Sequence, residues 1–164
     1  MAKNDIKLLF MDVDGTLTDG KIYMSDDGEL FKTFDIKDGC GIHDLLPLHS
    51  IIPVIITART SKILENRCKE LNIQHLYQGC RAKKNKMIEV AKEFSLVDNN
   101  NGVIKGTAYI GDDILDIQCM EISELKGCPN DAVNEVKCIA DFISSKNGGD
   151  GAFREFIEWI IEKY

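Results

Sequence analysis

Short apolar runs alternate with amphipathic helical patterns along most of this 164-residue chain. The strand-like runs are Ile6–Met11, Ile51–Thr57, His75–Gln78, Thr107–Gly111 and Asp141–Ser144. The helical patterns are Thr60–Asn72, Lys84–Phe94, Asp113–Met120, Asp131–Val136 and Ala152–Tyr164. Strands that alternate with helices favour a parallel sheet, because each crossover helix returns the chain to the same end of the sheet. The sequence therefore predicts an α/β fold: a doubly wound (Rossmann-like) parallel sheet with flanking helices.

One segment interrupts this alternation. Gly20–Met24 and Glu29–Phe34 flank Ser25-Asp-Asp-Gly28, a strong turn signal, so we predict a projecting β-hairpin there. The Asn- and Gly-rich stretch Val97–Gly106 is interpreted as a surface connection. No room remains for a second domain, and we expect residues 1–164 to form one domain.

Charge and composition exclude several classes of function. The chain has 20 basic and 27 acidic residues, a net charge of -7, which opposes binding to nucleic acid or to an anionic membrane. No apolar run approaches the roughly 18 residues that span a membrane, and the N-terminus lacks a signal-peptide pattern. Six cysteines without a Cys-x-x-Cys pair are interpreted as reduced thiols. We therefore expect a cytoplasmic protein.

The first predicted strand ends in two carboxylates. Asp12 and Asp14 belong to the run Asp12-Val-Asp-Gly-Thr16. Side chains two apart can share one site only if the chain turns at once, as Gly15 permits. Two close carboxylates repel each other unless a cation or a shared proton intervenes, and Mg²⁺ prefers such oxygen ligands. By itself, this strand end fits a metal site and an ordinary solvated turn equally well.

Three further polar signals follow later strands. Thr57 ends the second strand, Lys83 follows the third, and Gly111-Asp112-Asp113 ends the fourth, with Asp116 one turn further on. Each has a simpler explanation, as a helix cap, a solvated lysine run or a strand-to-helix turn. Because the carboxyl ends of parallel strands meet at one edge of the sheet, four such signals at successive strand ends indicate one site for an anion and a metal.

These motifs resemble those of the haloacid dehalogenase superfamily of phosphatases. That superfamily has Asp-x-Asp-Gly-Thr, a strand-ending Thr or Ser, a Lys and Gly-Asp-Asp, in the order found here. The resemblance extends over nearly the whole length to the capless branch that includes the 3-deoxy-D-manno-octulosonate 8-phosphate (Kdo-8-phosphate) phosphatases. The matches to that branch are Leu17-Thr-Asp-Gly20, Phe34-Asp-x-Lys-Asp-Gly39, Gly41-Ile42, Arg67-Cys68, Leu76-Tyr-Gln-Gly79 and Gly148-Gly-x-Gly-Ala-x-Arg154-Glu155.

The resemblance implies a role for each motif. Asp12 would be the nucleophile that forms an aspartyl-phosphate, and Asp14 the acid and base for the leaving alcohol and the attacking water. Mg²⁺ would be held by Asp12, the backbone carbonyl of Asp14 and Asp112, with Asp113 orienting these ligands or binding through water. The residues implied in phosphate binding are Thr57, Ala58 and Lys83. The residues implied in binding the sugar acid are Arg59, Arg67 and Arg154.

Two motifs depart from the usual pattern of the superfamily. Ala58 stands where Gly is common, which removes freedom at positive φ. The motif with the lysine reads Ala82-Lys83-Lys84, so the assignment of Lys83, rather than Lys84 or Lys86, depends on its spacing from Tyr77-Gln-Gly79.

The sequence leaves alternatives for the substrate and for the class of protein. An arginine at position 59 favours Kdo-8-phosphate, because sialic-acid-type 9-phosphate phosphatases (for KDN or N-acetylneuraminate) resemble this chain but carry an acidic residue there. A receiver domain shares the fold and residue types but has them in another order. A degenerate regulatory module remains a second non-enzymatic alternative. The resemblance also implies a homotetramer, in which the 20–34 hairpin and the glycine-rich 148–154 segment contact a neighbouring subunit.

Overall fold

The computed structural model describes residues 6–97 and 102–163. Its strands are β1 (Leu8–Met11), β2 (Tyr23–Ser25), β3 (Gly28–Phe31), β4 (Ile52–Ile56), β5 (His75–Tyr77), β6 (Ile104–Ile110), β7 (Ser123–Cys128) and β8 (Phe142–Ile143). Its helices are α1 (Ile36–Cys40), α2 (Leu46–Leu48), α3 (Lys62–Glu70), α4 (Lys83–Glu93), α5 (Ile117–Glu121), α6 (Asn134–Lys137) and α7 (Ala152–Lys163). A π-helical turn, Gly41–Leu45, joins α1 to α2, and a 3₁₀ turn, Ile114–Asp116, precedes α5.

Six of the strands form one parallel sheet in the order β5-β4-β1-β6-β7-β8. The first strand lies in the interior of this sheet, between β4 and β6, and every residue of Leu8–Met11 is buried. A strand covered on both faces requires a continuous apolar run, which explains the sequence Leu-Leu-Phe-Met. The predicted Rossmann-like α/β fold is confirmed.

Helices cover both faces of the sheet and create two apolar cores. Because strand side chains alternate, Leu9 and Met11 enter one core and Leu8 and Phe10 the other. The first core is packed largely by α3 and α7, and the second by α4 and α5. Both layers hold β1 in place, so the position of Asp12, directly after it, is fixed by the most buried part of the fold.

Several elements differ from the sequence predictions. The strand β7 was not predicted, because Glu124 and Lys126 interrupt its apolar residues, yet these two side chains are only partly buried at alternate positions. The helical stretch from α1 to α2 was also not predicted. The strand β6 begins at Ile104, inside the predicted surface connection. Residues 98–101 of that connection, and Tyr164 of the last helix, lie outside the described residues.

The predicted hairpin is present as a separate two-stranded antiparallel sheet, β2 with β3. It is shorter than expected and turns at Asp26 and Asp27. Tyr23 stacks on Phe31 with ring centroids 4.4 Å apart. Apolar side chains remain exposed on and beside it, namely Ile22, Met24, Leu30, Phe31 and Ile36. Among the described helices, none is long and apolar enough to cross a membrane.

Candidate active site

The loop after β1 turns sharply around one carbonyl oxygen. The amides of Thr16, Leu17 and Thr18 all donate hydrogen bonds to the carbonyl oxygen of Val13. Gly15 adopts a φ of +95°, and a Cβ at this position would lie 2.0 Å from Asp112 Oδ2. Glycine is therefore needed twice, for the backbone conformation and for the approach of the Asp112 carboxylate.

Three carboxylates converge beneath this loop. Oxygen atoms of Asp12, Asp112 and Asp116 all lie within 4.8 Å of one another. The Thr16 hydroxyl donates a 2.9 Å hydrogen bond to Asp112 Oδ1, which links the loop after β1 to the loop after β6. The structure thus brings together the two carboxylates predicted to hold the metal through their side chains, Asp12 and Asp112.

Asp116 anchors this cluster. Its Oδ1 accepts hydrogen bonds from Lys83 Nζ at 2.8 Å and from the Tyr109 hydroxyl at 2.7 Å. Its Oδ2 accepts the amides of Asp112 at 3.0 Å and Asp113 at 3.2 Å. Four donors occupy the roughly four lone-pair positions of a carboxylate, so Asp116 is suited to bracing the site rather than to binding a metal.

The sequence motifs gave Asp116 no role and did not include Tyr109. The only signal for Asp116 was its position one helical turn after Asp112, and Tyr109 looked like an ordinary strand residue. The side chain of Tyr109 is fully buried, and a buried phenol needs a partner, which Asp116 provides.

Lys83 bridges the nucleophile candidate and this anchor. Its Nζ lies 2.9 Å from Asp12 Oδ2 and 2.8 Å from Asp116 Oδ1, and only 2% of its side chain is exposed. Burial disfavours the charged ammonium, but the charges of Asp116 and Asp12 raise the pKa of Lys83 above its usual value. Lys86 instead pairs with Glu89 and lies over the Tyr77 ring. In the structure, Lys83 is therefore the lysine that reaches Asp12.

The cluster carries an excess of negative charge. Burial, together with the charges of Asp116 and Asp12, raises the pKa of Asp112 to about 8. Burial and the charge of Asp116 raise the pKa of Asp12 to about 6, although Lys83 opposes the shift. Three carboxylates face one ammonium, so full ionisation leaves two negative charges to be balanced. A divalent ion bound to Asp12 and Asp112 fits both that charge and the oxygen donors.

A second charged group lies at the mouth of the site. Lys32 Nζ is 2.5 Å from Asp14 Oδ1 and 3.0 Å from Glu29 Oε1. The Arg59 guanidinium is 3.7 Å from each of the same two carboxylates, too far for a hydrogen bond, and its buried Nη1 has no hydrogen-bond partner. Neither Lys32 nor Glu29 was identified from the sequence, because both belong to the hairpin rather than to a strand end of the main sheet.

Two of the predicted phosphate-binding residues, Thr57 and Ala58, follow β4, which pairs directly with β1. Thr57 is buried, its amide donates to the carbonyl oxygen of Tyr77 at 3.0 Å, and its own carbonyl oxygen accepts the amide of Cys80 at 2.9 Å. Ala58 follows and is partly exposed. These backbone bonds fix the turn beside Asp12.

Three predicted residues lie outside this cluster. The exposed Asp113 accepts the amide of Ile114 at 2.7 Å and so caps the 3₁₀ turn. The Arg67 guanidinium pairs with Glu70 and lies over the Phe34 ring. Arg154 pairs with Glu158 and reaches the carbonyl oxygen of Lys37. A Cβ added to Gly39 would meet Arg67, and one added to Gly41 would meet Arg154, so the two arginines flank α1.

The glycine-rich segment before α7 packs on the loop after β1 of its own chain. The amide of Gly149 donates to the carbonyl oxygen of Thr16 at 3.2 Å. A Cβ on Gly148 would lie 1.9 Å from the carbonyl oxygen of Gly15. The backbone of this segment is therefore part of the wall that shapes the carboxylate loop.

Comparison with known proteins agrees with this architecture. No family profile matches the chain. The chain is 38% identical over 162 residues to the 3-deoxy-D-manno-octulosonate 8-phosphate phosphatase of Escherichia coli, covering 98% of this chain and 82% of that protein. The cobalt-bound deoxy-D-mannose-octulosonate 8-phosphate phosphatase of Haemophilus influenzae superposes with a TM-score of 0.89 at 32% identity, covering 98% of this chain and 90% of that one.

A third relative was solved with ligands. The 3-deoxy-D-manno-octulosonate 8-phosphate phosphatase of Moraxella catarrhalis, in complex with magnesium, phosphate and KDO, superposes with a TM-score of 0.88 at 34% identity, covering 96% of this chain and 87% of that one. A hydrolase of the haloacid dehalogenase superfamily from Legionella pneumophila has a TM-score of 0.88 at 32% identity. The fold and the acidic strand ends thus define a haloacid dehalogenase-type hydrolase. Within that class, the chain belongs to the 3-deoxy-D-manno-octulosonate 8-phosphate phosphatase family.

Proposed function

We propose that the protein hydrolyses Kdo-8-phosphate to Kdo and phosphate, with Mg²⁺ as cofactor. The observation that carries the proposal is the Asp12–Asp112–Asp116 cluster with Lys83 on Asp12, because it combines a nucleophile, a cation site and a buried ammonium at the carboxyl edge of the sheet. The relatives support the substrate, since their names and one complex specify this sugar acid.

In the proposed reaction Asp12 attacks the phosphorus atom and forms an aspartyl-phosphate. Asp14 gives a proton to the bridging oxygen as the P–O bond breaks, and then accepts a proton from the water that hydrolyses the intermediate. Lys83, Thr57 and the amide of Ala58 hold the phosphoryl oxygens, where Lys83 offsets charge that develops in the transition state.

Magnesium would be held by Asp12, Asp112 and the backbone carbonyl of Asp14, with Asp113 acting through water. When bound, the ion would screen Asp12 from the phosphate and stabilise the negative charge of the transition state. Asp116 keeps the amides of Asp112 and Asp113 and the ammonium of Lys83 in place, so the Asp112 carboxylate stays directed at Asp12.

Arg59 is proposed to select the substrate. Its buried Nη1 lacks a hydrogen-bond partner, so a sugar-acid carboxylate at the site mouth would supply the missing acceptor. The resemblance favours Kdo-8-phosphate over a sialic-acid-type 9-phosphate, because the sialic-type phosphatases carry an acidic residue where this chain has Arg59. Comparable rates on Kdo-8-phosphate and on a hexose phosphate without a carboxylate would contradict this role for Arg59.

The working unit is proposed to be a homotetramer. The exposed apolar side chains of the hairpin, such as Met24 and Leu30, supply a surface that a second copy would cover. Arg67 lines a pocket together with Lys32, which contacts Asp14, so we propose that it binds substrate in the site of its own chain. Arg154 pairs with Glu158 and contacts Lys37, and we propose that it binds substrate at a neighbour's site. An active monomer in light scattering at the assay concentration would contradict the shared site, and an Arg154→Ala variant with unchanged kcat and KM would contradict the role of Arg154.

The cytoplasm is the proposed location. Three buried cysteines, Cys68, Cys119 and Cys128, are free thiols, which suits a reducing compartment. The acidic balance, 27 acidic against 20 basic residues, gives no support for a nucleic-acid partner.

The decisive experiment measures phosphate release from Kdo-8-phosphate, sialic-type 9-phosphates and simple hexose phosphates. We expect the highest kcat/KM on Kdo-8-phosphate, loss of activity in EDTA and its return with Mg²⁺. Asp12→Asn keeps the size of the side chain but removes its charge, so turnover should fall by roughly 10⁴-fold or more. A folded Asp12→Asn protein that retains a tenth of the activity would refute the nucleophile assignment.

A further inference from the structure

The hairpin contributes a buried cation to the site of its own chain. Lys32 directly follows β3, and only 4% of its side chain is exposed. Its ammonium contacts Asp14 Oδ1 at 2.5 Å and Glu29 Oε1 at 3.0 Å. Because the side chain is enclosed, its ammonium stays beside Asp14 rather than moving freely in solvent.

Glu29 fixes the other side of this ammonium. It accepts a hydrogen bond from the Ser61 hydroxyl as well as from Lys32. The Ser61 hydroxyl in turn accepts the amide of Leu64 at 3.2 Å and so caps α3. The hairpin is thereby tied to a helix that packs on the central sheet, and Lys32 is held by a rigid part of the fold.

The charges of this group balance without substrate. Asp14 and Glu29 supply two negative charges, and Lys32 and Arg59 supply two positive ones. Of the two cations, Lys32 makes the close contacts, whereas Arg59 stays 3.7 Å from both carboxylates. Lys32 therefore forms its ion pairs within the protein, whereas Arg59 is the cation of this group that is available to bind substrate.

We propose that Lys32 is a positioning residue for Asp14, which rests on the proposed acid and base role of that carboxylate. Lys32 occupies Oδ1 and fixes the carboxylate plane, so Oδ2 carries the transferred proton. Oδ2 gives this proton to the bridging ester oxygen as the P–O bond breaks, and it later takes one proton from water as the aspartyl-phosphate is hydrolysed. Fixed orientation of an acid is a substantial part of its catalytic effect.

The test compares two leaving groups. An alkyl phosphate such as Kdo-8-phosphate or glycerol phosphate needs a proton on its leaving oxygen, whereas p-nitrophenyl phosphate releases a stable anion. We compare kcat/KM, because it reports the steps up to formation of the aspartyl-phosphate and excludes its hydrolysis, which is the same for both substrates. For Lys32→Met we expect kcat/KM on the alkyl phosphate to fall by about 10-fold to 100-fold, a part of the roughly 10²-fold to 10⁴-fold that acid–base catalysis contributes, and kcat/KM on the aryl phosphate to change much less. Asp14→Asn should show the same selectivity with a larger loss.

Three further variants separate positioning from folding. Lys21→Met alters an exposed lysine beside the hairpin and should leave both rates unchanged. Adding Lys32→Met to Asp14→Asn should cause little further loss, because Lys32 acts through Asp14. If Lys32→Met does not fold, Glu29→Gln, which loosens Lys32, should give a weaker loss confined to the alkyl phosphate.

Equal losses of kcat/KM on both leaving groups, or losses that add in the double variant, would overturn the proposal. Failure of the proposed function would look different, because the wild-type protein would then hydrolyse neither phosphate ester in the presence of Mg²⁺.

Discussion

Stability in the absence of metal should fall as the pH rises from 6 to 8. The pKa of Asp112 is raised from its ordinary value near 3.8 to about 8 in the folded protein. Between these values the folded state holds a proton on Asp112 that the unfolded state has released, so each rise in pH favours unfolding. Burial also raises the pKa values of Asp12 and Asp38, both to about 6. Above pH 6, the change of the free energy of unfolding with pH is therefore due mainly to Asp112.

The size of the effect follows from one proton. A full proton difference changes the free energy of unfolding by about 1.4 kcal/mol per pH unit, so two units correspond to an upper value of about 3 kcal/mol. For a domain of this size, 1 kcal/mol shifts the melting temperature by roughly 2–4 °C, so thermal unfolding in EDTA should show a fall of roughly 5–10 °C from pH 6 to pH 8.

Magnesium should remove this dependence, because the ion binds ionised carboxylates and competes with the proton. Scanning calorimetry in EDTA and in excess Mg²⁺ would measure both curves. Asp112→Asn should flatten the EDTA curve, while Asp26→Asn, an exposed residue of the hairpin turn, should follow the wild type. An unchanged slope in Asp112→Asn would refute the assignment to Asp112, and a flat wild-type curve in EDTA would refute the reasoning as a whole.

Three substitutions test the packing around the site. Gly15→Ala should weaken Mg²⁺ binding, measured by calorimetric titration, far more than Gly28→Ala does, since both positions have positive φ but only Gly15 faces Asp112. Tyr109→Phe removes one hydrogen bond to Asp116 and should cost about 1–2 kcal/mol in urea unfolding; no loss would contradict the anchoring role of this hydroxyl. Gly148→Ala must displace the backbone near Gly15 and should lower both stability and kcat. An unchanged melting temperature would show that the glycine-rich segment can move without cost and would contradict this prediction.

The central strands β1 and β6 could be predicted because they are short apolar runs whose burial on both faces leaves a strong signal in the sequence. The strand β7 escaped prediction because Glu124 and Lys126 alternate with its buried residues, and the stretch from α1 to α2 escaped because it consists of several short helical pieces. Local sequence carries little information about an element whose stability comes from its neighbours.

The sequence by itself determined which side chains end the strands, because parallel strands bring their carboxyl ends to one edge. That rule is enough to place Asp12, Thr57 and Asp112 in one region of the fold. Only the tertiary structure decided which lysine reaches Asp12, and that Asp116 and Tyr109 brace the carboxylates. These contacts depend on how α4 is rotated against the sheet and on how deeply the side chains of Lys83 and Tyr109 are buried.

The sequence alone also did not give the positions of Lys32, Arg67 and Arg154. That Lys32 turns back to Asp14, while Arg67 and Arg154 lie beside α1, follows from how separate elements pack on one another. A periodic pattern specifies the buried face of an element, but not which charged residue of another element it will meet. The distances between charges, and hence the pKa values of the site, therefore depend on how the helices pack on both faces of the sheet.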